Sequence, residues 1–256
     1  MKILSAVAAI IFFAVGAMAQ TTNDLSDAEI QGRQLAQKLL EQIPVTNSIQ
    51  TGVLKTRDNK GNSSSLRMLY EVQVAPDFWN VFYKVNLPTN SNWIDVLGVM
   101  HMNDFTNRYV IFRIETNNIF YELQVPIGTW LSKQEETMRP FCNSDFWICD
   151  LGLEFFHWPE QKILKKENRR SRACNVLEST NPNPSANGYS RVVSWIDEES
   201  GGIVHAEAYD AQNKLLKEFD PKSFKKVNGQ WELQEMEIRN VQTGSRSRLE
   251  FDLKKE

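Results

Sequence analysis

The feature of this sequence that most limits its fold is an alternation of apolar and polar side chains with a period of two. From Leu66 to Val74 every second residue is apolar, and most of the residues between them are polar. A strand with one buried face has this period, because successive side chains point to opposite faces of a sheet. Similar short runs, separated by turn sequences such as Asn228-Gly229, continue to the end of the chain. The sequence therefore predicts a mainly β protein, built on a meandering antiparallel sheet that curls toward a barrel.

The predicted strands are short and closely spaced, which is typical of one large β domain. They cover residues 49–56, 66–74, 81–85, 93–100, 109–114, 119–125, 163–166, 173–179, 189–197, 203–209, 215–219, 231–239 and 247–253. All-β folds of this length often form a single domain. We therefore expect residues 20–256 to be one domain.

Two segments depart from the alternation and are predicted to be helical. A capping box at Ser26-Asp27-Ala28-Glu29 begins a helix over residues 27–42, which Pro44 ends. Its apolar residues at helical spacing are Ile30, Leu35, Leu39, Leu40 and Ile43. A second, short helix is predicted between Asp150 and Pro159, with one apolar face. Since a strongly curved sheet has a concave apolar face that needs shielding from water, we expect helices to form a lid over that face.

The first 19 residues have the three parts of a secretory signal peptide. Lys2 is followed by an apolar stretch over residues 3–16 and by the cleavage signal Ala17-Met18-Ala19. A membrane anchor is the competing interpretation, but it needs about 20 apolar residues and this stretch is shorter. We expect export to the periplasm and cleavage after Ala19.

The overall charge argues against nucleic acid as a partner. The net charge is -3 and the pI is near 5.8, whereas nucleic-acid binding needs a basic surface. The one basic cluster lies between two predicted strands and contains Lys165, Lys166, Arg169, Arg170 and Arg172. We interpret this cluster as a solvated hairpin tip rather than as a site for anions or membrane surfaces.

The three cysteines allow at most one disulfide, because their number is odd. Export makes a disulfide chemically permissible. Cys142 could pair with Cys149 across a short loop, and Cys149 with Cys174 is the alternative. No metal site is expected, since neither a C-x-x-C pair nor a nearby histidine supplies a fourth zinc ligand. No cofactor is expected either.

The sequence contains no recognisable catalytic constellation. It lacks the G-x-S-x-G, H-E-x-x-H, Walker and dinucleotide-binding motifs. We interpret the three histidines, His101, His157 and His205, as structural or surface residues rather than catalytic bases. We therefore predict that the protein is not an enzyme; a hydrolase that uses Cys149 or His157 is the alternative.

The positive signal is an excess of large apolar side chains near irregular segments, which can line a ligand pocket. Ordinary core packing is the competing explanation. From alternation alone, the predicted lining residues of a hydrophobic binding site are Met68, Tyr70, Val72, Val81, Tyr83, Val85, Trp93 and Phe112.

An ordered series of segments resembles the outer-membrane lipoprotein-sorting family, the LolA-like group. Residues 143–151 read Asn-Ser-Asp-Phe-Trp-Ile-Cys-Asp-Leu, where that group often has a Gly-Ser-Asp-Phe-x-x-x-Asp-Leu type of segment. Further similar segments are 158–159, 174–179, 188–197, 206–210, 214–225, 229–231 and 236–243. Asn143 stands where glycine is usual, and residues 147–149 are more apolar than in the group. No charged cavity residue of the group can be matched, so no functional residue is carried over.

This resemblance implies an unclosed antiparallel β-barrel with a helical lid over a hydrophobic cavity. It also implies a periplasmic carrier or binder of lipoproteins or other acylated cargo, with a membrane-embedded donor or acceptor complex as partner. The alternative function is an envelope-stress sensor or periplasmic scaffold that binds lipid or protein and signals to a membrane partner.

Overall fold

A computed structural model describes residues 25–87, 92–102, 107–115, 129–131, 134–227 and 230–253. These residues form one antiparallel sheet and a few short helices. The helices are α1 (Asp27–Leu40), α2 (Gln134–Thr137), α3 (Ile148–Leu151) and a 3₁₀ helix (Glu154–His157). The strands are β1 (Ser48–Arg57), β2 (Ser63–Val74), β3 (Phe78–Asn86), β4 (Trp93–Met102), β5 (Arg108–Glu115), β6 (Thr129–Leu131), β7 (Glu160–Arg169), β8 (Arg172–Thr180), β9 (Tyr189–Asp197), β10 (Ile203–Asp210), β11 (Leu215–Val227), β12 (Gln230–Asn240) and β13 (Arg246–Phe251).

The sheet consists of two meanders joined through their outermost strands. Its order is β6-β5-β4-β3-β2-β1-β13-β12-β11-β10-β9-β8-β7, so β1 pairs with the last strand, β13, and the edges are β6 and β7. The two edges do not pair with each other, and the curled sheet stays unclosed. The predicted fold class, an antiparallel unclosed β-barrel, is therefore confirmed.

At the junction of the two meanders the strands approach each other closely. A Cβ atom on Gly52 would lie 2.3 Å from the Glu250 carbonyl oxygen of β13. A glycine inside a strand typically marks such a close backbone approach. Gly52 thus allows β1 and β13 to join the two halves of the curled sheet.

The alternation in the sequence assigns side chains to the two faces of the sheet. On the concave face, Tyr70 pairs with Tyr83 and Val72 with Val81 across β2 and β3. The same face continues through Leu54, and these side chains belong to the largest cluster of buried apolar residues. The convex face carries separate, smaller clusters, one of them around Val96.

Helix α1 packs along the edge strand β7. Its capping box is present: the Ser26 side chain accepts from the Glu29 amide, and the Ser26 amide donates to Glu29 Oε2 at 2.8 Å. Its buried residues are Gly32 and Ala36. A Cβ on Gly32 would lie 2.5 Å from the Lys162 backbone nitrogen, so the helix meets the strand backbone to backbone.

This contact corrects the predicted apolar face of α1. Ile30 is 42% exposed and Ile43 is 46% exposed, whereas Leu35, Leu39 and Leu40 pack against the buried cluster beside β7. The small residues of the helix set its orientation, because only they permit the short distance to β7.

Residues 134–158, which precede β7, cross the concave side of the sheet. We call them the crossing segment. The single helix predicted between Asp150 and Pro159 is wrong: two short helices, α3 and the 3₁₀ helix, meet at Leu153, whose φ of 50° is left-handed. The residues predicted for one face, Leu151, Phe155 and Trp158, are all buried.

Three predicted features lie outside the described residues: the signal peptide at 1–19, the strand at 119–125 and the turn at Asn228-Gly229. Within the described part of the chain, no helix has the length and apolar character needed to cross a membrane.

Candidate functional site

The concave side of the sheet encloses a cavity of about 1280 Å³. One wall comes from β2 and β3, through Tyr70, Val81 and Tyr83. The facing wall comes from β9 to β12, and its lining residues include Val192, Ala206, Ala208, Lys217, Phe219, Met236 and Ile238. The crossing segment forms the remaining boundary. The hollow exceeds the 300–1,000 Å³ usual for small-molecule pockets.

Small side chains on β10 keep the hollow open. Ala206 and Ala208 lie on its surface and alternate with outward-facing Glu207. Across the strand pairs, Ala206 faces Phe219 and Ala208 faces Lys217. Larger residues at these two positions would occupy the space that the alanines leave.

A buried lysine fastens the crossing segment to the cavity wall. Lys217 Nζ donates to the Asp145 carbonyl oxygen at 2.7 Å and lies 3.4 Å from Asp150 Oδ2. The ammonium also lies 3.7 Å from the centre of the Trp147 ring. The Lys217 side chain is 1% exposed, and this burial lowers its pKa, while Asp150 favours the charged form.

Asp150 is the centre of this connection. It accepts from the Tyr189 hydroxyl at 2.9 Å and from the Trp147 amide at 2.7 Å. The Trp147 and Tyr189 rings stack with centroids 4.6 Å apart. The crossing segment is therefore anchored by buried polar contacts at this point, and not by apolar contact alone.

Two tyrosines of the first meander, on β3 and β5, hold the same segment. The Tyr83 hydroxyl donates to the Leu151 carbonyl at 3.2 Å, and the Tyr109 hydroxyl donates to Glu154 Oε2 at 2.6 Å. Burial raises the pKa of both phenols and that of the Glu154 carboxyl. A Cβ on Gly152 would lie 2.3 Å from the Tyr109 hydroxyl, so only glycine fits between these contacts.

An aromatic stack forms another part of the cavity wall. The Trp79 and His101 rings are parallel within 11°, with centroids 3.8 Å apart. Burial, and then the nearby His157, lower the pKa of His101 to about 4, although the Asn107 side chain opposes this effect. His101 is thus neutral near pH 7 and forms an apolar surface with Trp79.

The mouth of the cavity lies between four peripheral elements. These are the end of α1 at Leu39, the β9–β10 turn at Gly201, the β7–β8 tip at Arg170 and the β11–β12 arm at Phe224. The basic cluster lies on a hairpin, as predicted, and Arg170 pairs with Asp220 at 2.8 Å. Of the helices predicted to cover the sheet, α1 contacts the hollow through Leu39, and the short helices of the crossing segment contact it through Leu151 and Phe155.

Of the eight lining residues predicted from the sequence, six lie on the concave side of β2 and β3. Tyr70, Val81 and Tyr83 contact the cavity. The other concave residues of β2 and β3, namely Met68, Val72 and Val85, lie in the packed cluster behind that surface.

Phe112 and Trp93 do not belong to this lining. Phe112 pairs with Val96 and packs with Phe82 on the opposite face, because β5 carries apolar residues on both faces. Trp93 stands at the start of β4 and is 41% exposed. Both assignments are corrected. The residues that the sequence did not reveal are those of β10 to β12, where the small Ala206 and Ala208 and the charged Lys217 line the hollow beside larger apolar side chains.

All three cysteines are free thiols in the structure, so neither predicted disulfide pairing is present. Cys149 and Cys174 lie in clusters on opposite faces of the sheet. Burial raises the pKa of Cys149 well above its usual value and that of Cys142 to about 12. These thiols stay protonated, which disfavours a nucleophilic role.

The described residues hold no cluster of three or more metal-ligating side chains. Among the candidate bases, burial lowers the pKa of His157. His205 lies at 2.9 Å from Asp220, beside Trp195 on the convex face. None of these groups is placed with a nucleophile in the cavity.

Comparison with known proteins identifies the fold. A family model described as an uncharacterized protein matches residues 131–254. No curated protein matches the chain.

Three solved structures share the architecture. A DUF1329 family protein from Desulfovibrio piger is 15% identical with a TM-score of 0.68, and the match covers 89% of this chain and 92% of that one. A domain named for outer-membrane lipoprotein sorting, from Vibrio parahaemolyticus, is 19% identical with a TM-score of 0.68, covering 88% and 92%. A LolA superfamily protein from Nitrosomonas europaea is 15% identical with a TM-score of 0.58, covering 89% and 93%. The fold that the sequence resemblance implied is thereby confirmed: the chain has the LolA-like fold.

Proposed function

We propose that this protein is a periplasmic carrier or binder of acylated cargo, lipoproteins or lipids, with a membrane-embedded donor or acceptor complex as partner. In this proposal residues 1–19 are removed on export, and residues 20–256 act as one non-enzymatic binding domain. The observation that carries the proposal is the open hollow between the two halves of the sheet, which the crossing segment borders but does not fill.

The hollow suits a hydrocarbon chain. Its walls are mainly aliphatic and aromatic, and its volume of about 1280 Å³ can accept a long, flexible ligand. Burial of acyl methylenes contributes about 0.8 kcal/mol each, so ten of them contribute about 8 kcal/mol before entropy losses. A contribution of this size permits binding that is strong enough to extract an acyl chain from a membrane and still reversible.

The contacts of the two helical regions suggest which part moves. The crossing segment is fastened by Lys217, Tyr83 and Tyr109. Helix α1 contacts β7 through Gly32 and Ala36, and reaches the hollow with Leu39. We infer that α1 is the cover that shifts for cargo, while the crossing segment remains fixed.

Binding of a fluorescent fatty acid tests the proposal. Ala208→Trp places an indole in the hollow and should weaken binding by about ten-fold or more, because it removes most of the free volume beside Lys217. Gln212→Trp is the matched control, since Gln212 is exposed on the β10–β11 turn. Equal binding by wild type and both variants would contradict a cargo site in this cavity.

A further inference from the structure

Two large aromatic side chains are exposed at the mouth of the cavity. Trp231 is 71% exposed and Phe224 is 53% exposed, and both also line the mouth. Gln50 Nε2 donates to Glu232 Oε2 at 3.1 Å, which places the start of β1 beside Trp231. Large exposed aromatic rings at the rim of a hollow mark an interaction surface rather than an ordinary solvated one.

The two aromatic rings share one face of the β11–β12 arm. Phe224 pairs with Leu233, and Lys226 pairs with Trp231, so residues 224, 226, 231 and 233 lie on the same side. Tryptophan and lysine side by side are typical of groups that sit at a membrane–water boundary, because each has an apolar body and a polar end.

The arm is locally basic in a protein that is acidic overall. Residues 221–233 include Lys222, Lys225, Lys226 and one acid, Glu232, whereas the whole chain has a net charge of -3. Lys226 is exposed, and Lys222 pairs with Glu237 at 2.9 Å. Lysines near an anionic surface add to its attraction for an apolar anchor.

We propose that the mouth of the cavity docks on an anionic lipid bilayer through Trp231, Phe224 and Lys226 of the β11–β12 arm. This inference rests on the proposed function, because a docked mouth would let an acyl chain pass between bilayer and cavity without crossing water. The apolar contacts carry most of the affinity. The neighbouring turn bears Glu199, which is almost fully exposed, so the dependence on salt is moderate.

Vesicle sedimentation tests the docking surface. The full mature chain is mixed with vesicles of phosphatidylcholine containing phosphatidylglycerol, and separately with vesicles of phosphatidylcholine alone. The double variant Trp231→Ser/Phe224→Ser should bind the anionic vesicles at least about ten-fold more weakly, since the two large rings that would enter the bilayer are lost. Trp130→Ser is the control, because Trp130 is 51% exposed but lies on the edge strand β6. It should bind like wild type.

The outcomes separate the two proposals. Wild type that binds the fatty-acid probe but neither kind of vesicle overturns the docking surface and leaves the carrier function intact; a protein acceptor would then be the partner. The docking surface is also overturned if the double variant binds vesicles as well as wild type does. Vesicle binding lost in the double variant, without any binding of the fatty-acid probe, supports the docking surface and contradicts the carrier function. Far-UV circular dichroism establishes that each variant is folded.

Discussion

Lys217 Nζ on strand β11 lies 3.4 Å from Asp150 Oδ2 of the crossing segment, in a position from which solvent is almost excluded. This pair connects two parts of the chain that are 67 residues apart. Because Tyr189 and Trp147 also bind Asp150, the pair is part of a small buried network. The network holds one side of the cavity in place.

Loss of this lysine should destabilise the protein. Lys217→Met keeps the length of the side chain but leaves Asp150 buried without its cation, which typically costs about 3 kcal/mol or more. Urea unfolding followed by circular dichroism measures the change. Lys214→Met, on the exposed β10–β11 turn, is the control and should change stability by less than about 0.5 kcal/mol. Equal stability of the two variants would show that the pair does not anchor the segment.

The contact between α1 and β7 reverses the usual effect of a glycine substitution. Gly→Ala inside a helix normally stabilises by about 1 kcal/mol. At Gly32 the new Cβ would meet the Lys162 backbone nitrogen at 2.5 Å, so we expect Gly32→Ala to lower the free energy of unfolding. Gln34→Ala, on the exposed side of the same helix, should be nearly neutral. An increase in stability for Gly32→Ala would contradict the close packing of α1.

His101 should make stability depend on pH. Burial holds its pKa at about 4 in the folded chain, against 6.5 when exposed. Between these pKa values the unfolded chain binds more protons at this residue than the folded chain does, so the free energy of unfolding falls as the pH falls. The contribution of neutral His101 is complete above about pH 6.5 and is lost toward pH 4, by at most about 1.4 kcal/mol per pH unit. Urea unfolding from pH 7.5 downward measures this dependence. The free energy of unfolding should change less steeply with pH in His101→Phe, which retains a ring to stack on Trp79. Identical slopes would contradict the assignment.

The thiols offer a direct check on the packing. Cys142, Cys149 and Cys174 are free, and burial raises the pKa of each thiol. Alkylation with iodoacetamide should be slow in the native protein and should label all three cysteines after unfolding without reductant. Mass spectrometry counts the labels. A single label after unfolding would instead reveal a disulfide.

The sequence allowed the sheet to be predicted because its signal is local. A period of two assigns a strand and its buried face wherever the other face is polar, as around Tyr70 and Val81. The signal failed in β5, where Tyr109, Val110 and Phe112 are buried on both faces, so alternation could not place Phe112.

The cavity wall formed by β9 to β12 could not be predicted from the period of two. Lys217 stands next to Glu218 and resembles an ordinary solvated charge in the sequence, and only the fold brings it to Asp150. Ala206 and Ala208 matter through the space they leave, which no periodicity reveals. The orientation of α1 likewise depends on one close approach at Gly32 rather than on its apolar stripe.

Native mass spectrometry of the mature protein, purified from the periplasm without detergent, tests the central claim most directly. If the hollow holds acylated cargo, a fraction of the protein should carry an added mass that fragments to a fatty acyl chain, and Ala208→Trp should lose that fraction while Gln212→Trp keeps it. Protein that is free of such mass, and that takes up no fatty acid when one is added, would contradict the carrier function. Recovery of that empty protein with one stoichiometric membrane protein would favour the sensor function instead.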